Sequence, residues 1–197
     1  MRECVWLFPL MFIIHDMEEI VGFGWWLKKN KCMLAEKYPS VLRTYADFST
    51  EGFAVAVYEE LIICVAVCLG AAVTDSVWLW GIWLGGLIGC TLHFVIHIGQ
   101  SIVVRQYIPA LITSIIELPC GILVIVRCVP ELITLSVSRI QEFSADMNIG
   151  NLIEENSDMA GKIAAIVLMV AGVMIVGINV KFAQRLIGWF TKLIEIS

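Results

Sequence analysis

Five stretches of predominantly apolar residues dominate the chain: Val5 to Leu27, Phe53 to Val73, Val77 to Val104, Tyr107 to Val126 and Ile163 to Val180. A helix needs about 20 such residues to cross the hydrocarbon of a bilayer. In lipid every backbone N–H and C=O must be satisfied inside the segment, so isolated runs of this length are helices. The links Thr74 to Ser76 and Arg105 to Gln106 are too short for anything but antiparallel, adjacent spans. The expected fold is therefore all-α: a polytopic membrane helix bundle of about five transmembrane helices, residues 1–197 in a single domain, with an amphipathic C-terminal helix. Residues 5–130 read as a four-helix core, 131–162 as an outer loop or interfacial helix, and 163–197 as the fifth span with an interfacial tail. Lys28 to Gly52 is long enough to carry interfacial helices as well.

Composition agrees. The chain is 59% hydrophobic and 16% charged with a mean hydropathy of +0.87, whereas soluble domains carry about 25% charged residues. A formal charge of −5 without a basic patch excludes nucleic acid as a partner and leaves the lipid bilayer. Of seven Cys, Cys64, Cys68, Cys90, Cys120 and Cys128 lie in or at the ends of apolar runs, and no CxxC pair occurs. They read as small buried hydrophobes. The opening apolar stretch after Arg2 superficially resembles a signal peptide, but it contains His15, Asp16, Glu18 and Glu19 and is followed by no small-residue cleavage site, so it reads as a retained first helix.

Orientation follows from the basic residues. With the N-terminus outside, the inner face receives Lys28, Lys29, Lys31, Lys37, Arg43, Arg105, Lys181, Arg185 and Lys192. The outer face receives Arg2, Arg127, Arg139 and Lys162. The expectation is a multi-pass cell-membrane protein, N-terminus outside and C-terminus cytoplasmic, with an acidic outer segment (Glu131, Glu142, Asp146, Glu154, Glu155, Asp158). In the tail, Leu186, Ile187, Trp189, Phe190, Leu193 and Ile194 alternate with basic residues as in an interfacial helix. Gly81, Gly85 and Gly89, at four-residue spacing in the third span, read as a face for close helix packing.

Ionisable groups inside a membrane are costly and need a partner or a purpose. The first four spans hold His15, Asp16, Glu18, Glu19, Glu59, Glu60, His93, His97 and Glu117; the fifth holds none. Measured from the inner end of each span at about 1.5 Å per residue, Glu19 lies about 12 Å in, His15 about 18, Glu59 and Glu60 about 9 to 10, His93 about 16, His97 about 10 and Glu117 about 15. They share one layer. On a helix, His15, Glu18 and Glu19 fall within about a 100° arc, and His93, His97 and Gln100 form a stripe. Thr113, Ser114 and Glu117 share a face of the fourth span, where Pro119 frees a carbonyl nearby. Clustered carboxylates without Lys or Arg in the spans repel one another, and a divalent metal offsets that charge with His nitrogen and Glu oxygen. The candidate ligands are His15, Glu18, Glu59, His93, His97 and Glu117, holding one or two ions of zinc or iron. Glu19 and Glu60 are candidates for catalysis, and Asp16, Gln100 and Thr113 for hydrogen-bonding partners behind the ligands. The alternative is a hydrogen-bonded network with some Glu protonated.

His15-Asp16-Met17-Glu18-Glu19 reads as the HxxEE signature. With Glu59-Glu60, His93-xxx-His97 and Glu117 over about the first 130 residues, the chain resembles the HXXEE-domain integral membrane protein family. That resemblance implies a metal-binding catalytic site and no particular substrate. A looser similarity runs to CAAX-type intramembrane proteases, but Ile63 and Cys64 stand where their arginine is expected after the Glu pair.

Three functions fit these residues. The first is a metal-dependent hydrolase acting on a lipidic or membrane-embedded substrate, in which the metal acidifies water and a free Glu acts as general base. The second is a di-iron oxidase or hydroxylase using Glu18, Glu59, Glu60 and Glu117 with His15 and His97. The third is a proton- or cation-coupled carrier, against which stand the small size and the lack of an internal repeat. Ligand type alone suits zinc, iron and manganese. Oligomeric state is not legible in the sequence.

Overall fold

The computed structural model describes residues 1–146 and 156–196, and no strand occurs among them. After a 3-10 turn at Arg2–Cys4 come α1 (Leu7–Lys29), α2 (Lys31–Lys37), α3 (Pro39–Thr44), α4 (Thr50–Thr74), α5 (Val77–Val104), α6 (Leu111–Asp146) and α7 (Ser157–Ile196). Four of these, α4, α5, α6 and α7, are long and apolar enough to cross a membrane. The first expected span, α1, is 23 residues long, but Asp16, Glu18 and Glu19 make it too polar to join that set. Large apolar side chains point outward throughout, among them Val21, Val73, Ile102 and Leu123. That is the surface expected where the surrounding solvent is hydrocarbon.

Local signals set the helix ends. Ser49 caps α4 by accepting from the Gly52 N–H at 3.0 Å, which satisfies one of the donors a helix start leaves orphaned. Asp75 (φ 52°) and Arg105 (φ 57°) close α4 and α5 in the left-handed conformation, a common C-terminal stop. The Trp80 indole N–H, 2.9 Å from Asp75 Oδ1, together with Arg2, holds the Asp75 carboxyl below the usual carboxylate range.

The long helices depart from the expected boundaries. α6 runs unbroken through Pro119 and Pro130 to Asp146, so residues 131–146 continue the fourth span as helix instead of starting a loop. At about 1.5 Å per residue, its 36 residues extend about 54 Å, against a hydrocarbon layer of about 30 Å. α7, with 40 residues, joins the fifth span to the tail in one helix. Where α6 ends and α7 begins the two helices stay paired: Gln141 Nε2 donates to Ser157 Oγ at 3.2 Å, and Gly161 abuts Val137. Glu154, Glu155 and the side chains of Leu193 and Ile194 lie outside the described residues.

α5 is the axis of the bundle. Its Trp80, Trp83, Leu84, Leu87 and Phe94 are fully buried, and the Trp83 indole donates to the Val5 carbonyl at 3.1 Å. α7 lies parallel to α5 and touches it backbone to backbone where Gly85 meets Gly172; a Cβ on Gly85 would fall 2.3 Å from the Met169 carbonyl oxygen. Gly81 is as close to Leu168, while Gly89 makes ordinary contact with Val176. At the end of the bundle that carries most of the Lys and Arg, α1 leans on the 105–110 loop: Gly22 sits on Pro109, and the Trp26 indole donates to the Tyr107 carbonyl at 2.8 Å. Phe23, Tyr45 and Phe48 close this basic end with ring centroids 4.9 to 6.2 Å apart.

Candidate metal centre

The four-residue spacing of two pairs builds the site. His15 and Glu19 occupy one face of α1, and His93 and His97 one face of α5. The two faces meet: each of the four residues offers a ligand atom, and these atoms all lie within 4.8 Å of one another. His97 Nε2 is 2.8 Å from His93 Nε2 and 3.2 Å from Glu19 Oε1. The His15 ring centroid is 5.0 Å from that of His97 and 5.3 Å from that of His93. His15 and His97 are buried, the Glu19 side chain is only 12% exposed, and His93 reaches the bundle surface.

Glu18, expected among the ligands, has another neighbourhood. α6 starts at Leu111 behind Ala110 and Pro109, none of which offers a side-chain cap. Glu18 supplies one from α1. Its carboxylate accepts the Thr113 N–H at 2.8 Å, the Ile112 N–H at 3.4 Å, the Thr113 hydroxyl at 2.8 Å and the Tyr107 hydroxyl at 2.6 Å. An acidic group at a helix N-terminus is favourable for its charge as well as its hydrogen bonds.

This cap orients a histidine. The Thr113 hydroxyl has one proton and two oxygen acceptors for it, Glu18 Oε2 at 2.8 Å and the Ala110 carbonyl at 3.3 Å, and it lies 3.2 Å from His15 Nδ1. That arrangement favours Thr113 as acceptor toward His15 and the tautomer with the proton on Nδ1, which turns the Nε2 lone pair to the cluster. That Nε2 is buried without a hydrogen-bond partner, a costly state for a polar atom. His97 Nδ1 is likewise buried and unpartnered. Three imidazoles and one carboxylate, with an orphaned lone pair among them, are a donor set that fits a divalent metal.

The other expected residues stand apart from this group. Glu60 and Asp16 line a cavity beside it, and Asn179 of α7 lines the same cavity. Glu59 and Glu117 each keep one buried carboxylate oxygen without a partner, outside the four-residue set. Gln100 is exposed. Reading the sequence missed Tyr107 and Asn179. The signal for Tyr107 was the uncapped start of α6; Asn179 is the polar residue of an otherwise apolar stretch, Gly172 to Val180.

Replacing Thr113 with Val removes the hydroxyl and nearly keeps the volume. We expect metal affinity, measured by competition with a chromophoric chelator, to fall about 10–100-fold, the range typical for loss of a partner behind a ligand. Unchanged affinity would mean that the Glu18–Thr113–His15 chain does not set the histidine.

Residues 6–124 match the model of a family described as "Protein of unknown function with HXXEE motif". No curated protein and no solved structure matches the chain.

Proposed function

The chain belongs to the HXXEE family, and on that premise we propose that it is an integral membrane metalloenzyme, a hydrolase acting on a lipidic or membrane-embedded substrate. The observation that carries the reading is the convergence of His15, Glu19, His93 and His97 within 4.8 Å. His15, His93 and His97 hold one divalent ion, zinc or iron, as neutral imidazoles. When bound, the ion supplies Lewis acidity and lowers the pKa of water. Glu19, held beside His97, takes the proton from the attacking water at Oε1. Glu60, on the cavity wall with Asn179, is placed to pass a proton between substrate and the cluster. The di-iron alternative needs Glu18, Glu59, Glu60 and Glu117 as ligands. The caps on Glu18 and the separation of the other three from the cluster favour the histidine-rich site. With nine basic residues at one end, that end faces the cytoplasm in this reading.

The test separates binding from chemistry. Elemental analysis of protein purified without chelators is expected to give about one zinc or iron per chain, a closed or open mononuclear site. Glu19→Gln keeps that metal and loses turnover on a panel of lipid esters and amides. Loss of metal in Glu19→Gln makes Glu19 a ligand instead of a base. A proton flux in vesicles abolished by Glu60→Gln replaces the hydrolase with a carrier.

A further inference from the structure

A cavity of about 350 Å³ lies between α1, α4, α5 and α7, and His15 and His93 form part of its wall. Ligand pockets run from about 300 to 1,000 Å³, so the space is sufficient for a small molecule. Its shape is more informative than its size. On α5 the lining runs from Ile82 to Ile96, about 21 Å along the helix axis. The space is elongated along α5, long enough to lay a hydrocarbon chain beside the helix.

The lining is sorted along its length. On α1 the polar residues His15 and Asp16 lie toward the basic end and Phe8 toward the other. The same order holds on α4 for Glu60 and Val67, on α5 for His93 and Ile82, and on α7 for Asn179 and Gly172. Four helices therefore give the cavity one polar end, at the histidine cluster, and one apolar end, where Phe8 packs over Gly86. Of the exposed lining residues, Ile63, Leu92, Ile96 and Ile175 are aliphatic and lie within α4, α5 and α7, and His93 and Gly177 are exposed beside them. The aliphatic part of the mouth faces sideways out of the bundle, toward hydrocarbon in a bilayer.

We propose that this cavity binds the single hydrocarbon chain of an amphiphile, which enters sideways from the bilayer and brings its one polar linkage to His15 and His93. The substrate class is a single-chain lipid ester or amide, which a volume near the lower bound of ligand pockets favours over a two-chain phospholipid. The inference deepens the hydrolase reading and rests on it for the polar end; the apolar end stands on the cavity alone.

Gly177 lines the cavity and Gly99 does not, and a Cβ on either meets nothing within 4 Å. Gly177→Leu thus adds bulk at the cavity wall with no clash at its Cβ, and Gly99→Leu is its control. The probe is a long-chain fatty amide carrying a mid-chain diazirine, photolysed with the full chain in lipid nanodiscs, with labelled peptides mapped by mass spectrometry. Labelling is expected on Val173 and Val176 and to be displaced by unlabelled fatty amide. Gly177→Leu lowers it about tenfold, equivalent to about 1.4 kcal/mol, and Gly99→Leu leaves it unchanged. The inference is overturned if label spreads equally over the outer face of α6 in both variants, or if phosphatidylcholine competes as well as the fatty amide. Metal content measured on the same samples keeps the two readings apart. Specific labelling of a chain that holds no metal sinks the hydrolase and leaves the chain-binding cavity, whereas metal without specific labelling does the reverse.

Discussion

His97→Ala is expected to abolish metal binding at the proposed site. His97 Nε2 stands between His93 Nε2, at 2.8 Å, and Glu19 Oε1, at 3.2 Å, so this one atom touches two other members of the cluster. Loss of a group behind a ligand costs about 10–100-fold in metal affinity, and loss of the ligand itself is expected to exceed that. Stability should follow, because a ligand present at about 100 times its Kd adds about 2.7 kcal/mol to the folded state. Added zinc or iron therefore raises the Tm of the wild type and not of His97→Ala. His15→Ala behaves in the same way, whereas Glu117→Ala, outside the cluster, keeps its metal. If all three variants retain metal and respond alike to added ion, the ion sits elsewhere.

The second large effect is expected from Gly85→Leu. α5 and α7 touch at Gly85 and Gly172, and a Cβ on Gly85 would sit 2.3 Å from a carbonyl oxygen and 2.7 Å from a Cα. These are backbone atoms of a rigid helix, with no rotamer through which to give way. Overpacking a well-filled interior typically costs about 1–3 kcal/mol and occasionally more, and here the two helices must separate along their whole contact. Gly85→Leu should therefore fail to accumulate as a monodisperse species in detergent. Gly89→Ala, whose nearest neighbours are 3.5 Å away, should purify like the wild type. If Gly85→Leu melts within about 1 kcal/mol of the wild type, the helix contact is looser than described.

Much of this was legible in the residue order. Apolar runs place the long helices, and four-residue spacing puts His15 with Glu19 and His93 with His97 on single faces. The common depth of the ionisable groups brings α1 and α5 together at one level. What depth cannot supply is rotation. Glu59, Glu60 and Glu117 share the layer of the cluster, yet they sit on helices whose inward faces are decided by packing against distant parts of the chain, such as Gly121 of α6 against Thr91 of α5. Glu18 was misdirected for a related reason. It lies about 100° from Glu19 on the helix, enough to leave the cluster, and its true partner appears only once α6 is seen to begin at Leu111 instead of Tyr107. A helix start preceded by Pro109 and Ala110 has donors without a local acceptor, and that deficit was the available clue. The unbroken run of α6 past Pro130 was hidden by Arg127 and Glu131, which mark the end of the apolar run but not of the helix.

The cap that Glu18 places on α6 bears on how the chain is built. An acidic residue at the centre of a membrane helix costs about 2.5–3.5 kcal/mol on insertion, and α1 carries Asp16, Glu18 and Glu19 within four residues. Alone, such a segment is a poor candidate for entry into lipid. The groups that satisfy it, Tyr107, Ile112 and Thr113 for Glu18 and His97 for Glu19, are made between 78 and 95 residues later. α1 is therefore made well before the groups that settle it in the bilayer. Its entry waits for α5 and the start of α6, and a ribosome-bound chain truncated before Tyr107 should leave α1 at the membrane surface.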